Sequence, residues 1–197
     1  MPWHSIQLVH AILSCMIVSF SQTVVCAIEG PQKTTAKQDR PGDKAIKVIL
    51  VDHQELKTKV EASKGKIVVV DIWSTSCVPC MREFPHLIEL SKKWPGDVIC
   101  ISLNVDYIGL KSKPPESYTA NVEAFLNQKK AHITNLQSRE PDEDLLQNMK
   151  VGSIPAILIF DRASKLHLQL TDANAGDDGL TYQGDVIPAI EKLINKP

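Results

Sequence analysis

The chain has 197 residues, 43% of them hydrophobic and 23% charged, with a formal net charge of -1. That composition suits one packed domain of ordinary size with some chain to spare. Near-neutral charge with Lys and Arg scattered along the sequence excludes the electrostatic footprint of a nucleic-acid binder, and no block of like charges marks an interaction tail.

The spare chain is at the front. Residues 1–28 contain no Asp, Glu, Lys or Arg and carry an apolar run from Ala11 to Phe20. That run is too short for a membrane span of about 20 residues and suits the core of a signal peptide. "VVCA" places small or aliphatic residues where a signal peptidase reads, so residues 1–27 are expected to be a signal peptide cleaved after Ala27. The absence of Lys and Arg from "MPWHSIQLVH" leaves an uncleaved anchor as the alternative, and the chain then meets a membrane only through that segment. Val25 disfavours lipid attachment at Cys26. Residues 28–44, "IEGPQKTTAKQDRPGDK", are polar and aperiodic, as in a flexible linker.

A folded domain is expected over 45–197. "AIKVILV" (45–51) reads as a first strand. "DHQELKTKVEAS" follows as a helix, with Asp52 and Glu55 at capping-box spacing and Gly65 as its stop. "IVVVDIW" (67–73) is a β-branched apolar run, the pattern of a strand buried on both faces. After Pro79, the positions of Phe84, Leu87, Ile88 and Trp94 predict a helix, "PGD" a stop and "VICISLNV" another buried strand. A strand, helix, strand unit puts the loop after the first strand at the carboxyl edge of a parallel sheet, where α/β proteins keep their chemistry. Further on, Tyr118, Val122, Phe125 and Leu126 form one helical stripe, with Tyr118 and Phe125 expected in the core. "ITNLQ" reads as a short strand and "PDEDLLQNM" as a helix with acids at its positive end. "VGSIPAILIFD" and "LHLQL" are strands around the turn "RASK", and "GDVIPAIEKLINK" is an amphipathic helix that Asp185 is placed to cap.

The loop and helix start after 73 carry "CVPC", with Cys77 and Cys80 three positions apart. Of five cysteines, Cys15 and Cys26 fall in the signal peptide, leaving these two and Cys100. Three cannot make a disulfide framework. A zinc site needs about four ligands, and there is neither a second CxxC nor a histidine pair at ligand spacing; the metal expectation is none. A static structural disulfide explains two cysteines without explaining their place. Redox exchange explains the place. A cysteine at a helix N-terminus is stabilised as a thiolate by free backbone N-H groups and the helix dipole, and the i, i+3 spacing brings Cys80 within bonding reach of Cys77. Pro79 suits the first turn of a helix. Asp71, near the end of an apolar strand, is expected to have a raised proton affinity; it either satisfies backbone donors or accepts a proton. Cys100 reads as a small core residue and His86 as a surface or packing residue.

"VVVDIWSTSCVPCMREFPHLIEL" resembles the active-site strand and helix of thioredoxins, and "CMREFPHLIEL" is most similar to the exported thioredoxin-like proteins of the TlpA and ResA group. "VGSIPAILIFD" resembles the cis-proline strand of the same family. The resemblance covers roughly 45–196 and implies a thioredoxin fold, a central mixed β-sheet flanked by α-helices. It implies an exported thiol-disulfide oxidoreductase, periplasmic or otherwise extracytoplasmic, with Cys77 as the attacking thiol, Cys80 as the resolving thiol and Asp71 as the buried acid that moves the Cys80 proton. Trp73, Ser76, Val78, Pro79, Ile154 and Pro155 are then the substrate-binding residues, with Pro155 the cis-proline, and Pro85 bends the helix. The implied partners are protein disulfide or dithiol substrates and an upstream thiol donor, with cytochrome c maturation as one setting; no cofactor is expected beyond the Cys77–Cys80 disulfide itself. Two departures stand out. Ser76 occupies a position where the family commonly has Trp, and "TDANAGDDGLTYQGD" (171–185) is longer than a usual final turn, with no chemical role legible in its residues. The alternative is a thioredoxin-fold binding module with a static disulfide.

Overall fold

All seven residues of β2 (Ile67–Trp73) are buried, because its β-branched side chains have an apolar layer on each side to enter. The structure is a computed structural model and describes residues 45–176 and 179–195. The expected signal peptide 1–27 and linker 28–44 lie outside the described residues.

Six strands form one mixed sheet in the order β1-β4-β3-β2-β5-β6. β1 (Ile49–Val51), β4 (Thr134–Ser138), β3 (Val98–Asn104) and β2 run parallel, while β5 (Ala156–Phe160) and β6 (Leu166–Thr171) complete the sheet antiparallel. Alternation along β2 divides the core in two. Val69 and Trp73 join α2 (Val78–Lys93), α3 (Glu116–Lys129) and α5 (Ile187–Ile194) on one face. Val68, Val70 and Ile72 join α1 (His53–Ala62) and α4 (Asp142–Asn148) on the other. Burying each such aliphatic side chain contributes about 1.5–3 kcal/mol, so β2 is the strand that binds the two layers together. No helix among the described residues is long and apolar enough to cross a membrane.

Two features of β2 place the chemistry. It pairs with β3 in parallel, Val69 opposite Cys100 and Asp71 opposite Ser102, and with β5 antiparallel, Ile72 opposite Ala156. The carboxyl end of β2, which leads to the cysteines, therefore lies beside the start of β5, which follows Pro155.

Three expectations about elements are corrected. The first strand is shorter than 45–51, because α3 side chains take the backbone donors ahead of it: Ile46 N-H donates to Asn127 Oδ1 at 2.8 Å and Val48 N-H to Glu123 Oε1 at 3.2 Å. Tyr118 is half-exposed rather than core, since its ring meets Tyr107 edge-on and carries Lys113 over its face. Asp185 does not cap the last helix. It lies in a π-turn, Tyr182–Val186, that precedes α5, and its carboxylate accepts from Thr181 N-H at 2.9 Å and Thr181 Oγ1 at 3.2 Å. Asp52, by contrast, closes the capping box with Glu55.

Candidate active site

α2 begins where β2 ends because Cys77 has extended backbone and the next residues have helical geometry, with Pro79 in the first turn. Cys77 N-H donates to Ser74 O at 3.1 Å, and the N-H of Cys80 points back to Cys77 Sγ at 3.3 Å. Cys77 and Cys80 are joined as a disulfide with their Cα atoms 5.3 Å apart. Their surroundings differ: Cys80 is 2% exposed, whereas Cys77 is half-buried. An incoming sulfur has only Cys77 to meet.

The loop ahead of Cys77 is latched from β3. Asp106, two residues beyond that strand, accepts from Ser74 Oγ, Thr75 N-H and Thr75 Oγ1, each at 2.7 Å. Ser76 is exposed, and its hydroxyl lies 2.8 Å from that of Ser74. A serine at 76 thus extends a polar chain to Asp106, where an indole would present an apolar surface. A groove of about 250 Å³ opens beside it, lined among others by Ser76, Asp106, Ile108, Lys113, Tyr118 and Ile154. Val78 is 70% exposed next to Cys77 and Ile108 56% exposed on the groove. The Ile154–Pro155 peptide bond is cis; Pro155 is buried, Ile154 half-buried and Pro79 half-buried. Trp73 stands differently from its expected place among substrate contacts: it is wholly buried, packed on Phe84 and Phe125 at ring separations of 4.9 and 4.8 Å. It supports the loop from below and is out of a substrate's reach.

Beneath α2, Asp71 is 4% exposed on the same sheet face as Cys100. Burial pushes its carboxyl up to about 7; a hydrogen bond from Tyr182 opposes the shift and the carboxylate of Glu83 adds to it. Tyr182 Oη donates to Asp71 Oδ2 at 2.6 Å, and Tyr182 N-H donates to Glu83 Oε2 at 3.3 Å. Burial first, and then Asp71, pushes the Cys100 thiol up to about 12, which keeps it protonated and inert. His86 is a surface residue, 3.0 Å from Glu89.

Cys77, Cys80, Ser76, Ile154 and Pro155 thus gather at one sheet edge, with Asp71 below. Sequence reasoning missed Glu83, Asp106 and Tyr182. Glu83 had a local signal, since it follows the buried Cys80 by three positions and so shares its helix face. Asp106 had a weaker one, being an acid just past a buried strand at the sheet's carboxyl edge. Tyr182, 111 residues from Asp71, had none. Among the described residues no three His, Cys, Asp or Glu side chains converge as a metal site. A second cavity, about 380 Å³, lies against α1 and the other sheet face, lined by His53, Leu158 and Phe160, apart from the cysteines.

No protein-family model matches the chain. It is 31% identical over 68 residues to the thiol-disulfide oxidoreductase ResA of Halalkalibacterium halodurans, a match covering 33% of this chain and 39% of that protein. It is 24% identical over 129 residues to the thiol-disulfide oxidoreductase ResA of Bacillus thuringiensis, covering 66% of this chain and 68% of that protein. The crystal structure of the exposed lipoprotein thioredoxin of Streptococcus pneumoniae matches with a TM-score of 0.51 at 19% identity, over 68% of this chain and 90% of that one. The fold is that of thioredoxin.

Proposed function

We propose that this thioredoxin-fold chain, similar in sequence to the ResA thiol-disulfide oxidoreductases, is itself a thiol-disulfide oxidoreductase acting on protein disulfides. The observation that carries this reading is the asymmetry of the pair: a half-buried Cys77 at the N-terminus of α2, bonded to a buried Cys80. In the reduced protein the Cys77 thiolate, stabilised by the helix end, attacks a substrate disulfide. A Cys77–substrate bond forms and the first substrate thiolate leaves. Cys80 then gives up its proton and its thiolate attacks Cys77 Sγ. The Cys77–Cys80 bond forms, the mixed disulfide breaks, the second substrate thiolate takes up a proton, and two electrons have passed to the substrate.

Asp71 is the proton acceptor in this scheme, directly or through one water, since its proton affinity lies near working pH. Ser76, Val78, Pro79, Ile154 and Pro155 form the docking rim. An extended substrate segment lies along Ile154 and exposed apolar groups meet Val78. The chemistry needs only the two thiols and no diffusible cofactor, with an upstream thiol donor re-reducing the pair. The protein acts outside the cytoplasm, a reading supported by the apolar, charge-free segment 1–28 and by its likeness to an exposed lipoprotein thioredoxin.

Equilibrium titration of the pair against a thiol redox buffer tests the activity. A reduction potential above about -300 mV is expected for an exchanging pair. A potential well below that value identifies a static bond and a binding module instead.

A further inference from the structure

The segment between β6 and α5 had no chemical role in the sequence, yet it delivers the one side-chain hydrogen bond that Asp71 receives among the described residues. Its described part is braced by its own hydrogen bonds. Leu180 N-H donates to Asp172 Oδ1 at 2.8 Å, and Gly184 N-H donates to Thr181 Oγ1 at 3.1 Å. Thr181 is in turn held by Asp185. The π-turn that follows inserts an extra residue into the helical register, a device that recurs at functional sites, and both Tyr182 and Val186 point inward from it. Tyr182 thereby reaches two acids from different elements: Asp71 on β2 through its hydroxyl and Glu83 on α2 through its backbone N-H.

We propose that Tyr182 is a positioning residue for disulfide exchange, holding the Asp71 carboxyl in the orientation from which it takes the Cys80 proton. This rests on the oxidoreductase reading above. The phenol occupies Oδ2, so Oδ1 is the oxygen left to accept. The proton moves from Cys80 Sγ to Asp71 Oδ1, directly or through one water, the Cys80 thiolate closes on Cys77, and the substrate leaves as a thiolate. Tyr182 keeps its own proton throughout, because burial and the adjacent Asp71 hold the phenol well above its ordinary range. Its hydrogen bond favours ionised Asp71, against burial and the Glu83 charge. The titratable groups coupled to Asp71 are Glu83 from α2, Cys100 from β3 and Tyr182 itself; β5 contributes the apolar Ile157 opposite it. Tyr182 supplies the hydrogen bond that lowers the carboxyl's proton affinity.

The experiment is stopped-flow exchange of the reduced full chain with a peptide disulfide from about pH 5 to about pH 9, resolving attack from release. Tyr182→Phe keeps the ring and removes the donor. It is expected to leave attack within about twofold, to move the pH midpoint of release upward by about one unit and so to slow release about fivefold at neutral pH. Replacing Tyr182 by 3-fluorotyrosine, whose hydroxyl is a stronger donor of the same shape, is expected to move the midpoint downward, and it keeps the test available if the phenylalanine variant folds poorly. In an Asp71→Asn background Tyr182→Phe should change release by less than about twofold. Unmoved midpoints in both variants, or an equal loss of attack and release, overturn the role of Tyr182 while leaving the oxidoreductase intact. A wild-type chain that forms no mixed disulfide overturns the oxidoreductase reading, and this inference with it.

Discussion

Two cysteines three residues apart are made unequal by exposure and by their places at the start of α2. Because Cys80 is buried and Cys77 is not, Cys80→Ser should accumulate mixed disulfides with protein substrates while Cys77→Ser accumulates none, as read by non-reducing gels and mass spectrometry. Equal trapping by both would remove the division of labour. Asp71→Asn keeps the shape and the hydrogen bond from Tyr182 but has no base. Release of the mixed disulfide at neutral pH should then slow by about ten- to a hundredfold with attack by Cys77 nearly unchanged, which the same stopped-flow measurement resolves. Cys100 gives the contrast within one chain. Buried, with its thiol pushed up to about 12, it should stay unlabelled by iodoacetamide in the folded, reduced protein under conditions that alkylate Cys77.

At the scale of elements, the active loop is held by a residue that performs no chemistry. The end of β2 and the start of α2 are fixed to β3 through Asp106, whose carboxylate accepts one backbone and two side-chain donors. Asp106→Ala leaves the Thr75 N-H and hydroxyl half-buried without that acceptor and the buried Ser74 hydroxyl with only Ser76, at about 1–3 kcal/mol for such a group. Denaturant unfolding should show a loss of about 2–3 kcal/mol, and attack by Cys77 should slow as the loop loosens. An unchanged midpoint of unfolding would show that water replaces Asp106 freely. The same latch accounts for Ser76, since a hydroxyl there continues the polar chain through Ser74 and makes the rim beside Cys77 more polar than an aromatic would.

Across the whole molecule, the buried acid in β2 ties the protonation of the core to stability. The Asp71 carboxyl moves from 3.8 to about 7 on folding, so between about pH 4 and pH 7 the folded state binds a proton that the unfolded state has lost. Stability contributed by this group is therefore complete below about pH 4, falls as pH rises through that window and stays lowered above pH 7. A few kcal/mol is the right order for such a shift. Asp71→Asn should accordingly be more stable than wild type in urea at pH 8, with the difference vanishing near pH 4. A gain equal at both pH values would show that packing rather than ionisation is responsible. On the proposed mechanism the less stable residue has a use, since a carboxyl with this affinity can accept a proton near neutrality, which an amide cannot.

By itself the sequence determined the elements with strong local signals. The apolar run of β2 and the periodicity of α2 each encode burial within a few consecutive residues. The Asp52 capping box and the CVPC at a helix start do so through hydrogen bonding and the helix dipole, so the fold and the two thiols were legible from residues 67 to 93 together with the resemblance they carry. The depth of Asp71 followed for the same reason, since any residue inside an all-buried strand is desolvated. What only the tertiary structure decided depends on contacts between residues far apart in the chain. The first strand was shortened by side chains of α3, Trp73 was enclosed by Phe84 and Phe125, and the loop before Cys77 was latched by an aspartate just beyond β3. Tyr182 shows why: nothing in "GLTYQGD" marks its hydroxyl for Asp71, because that hydrogen bond exists only once the sheet, α2 and the π-turn have closed around one buried carboxylate.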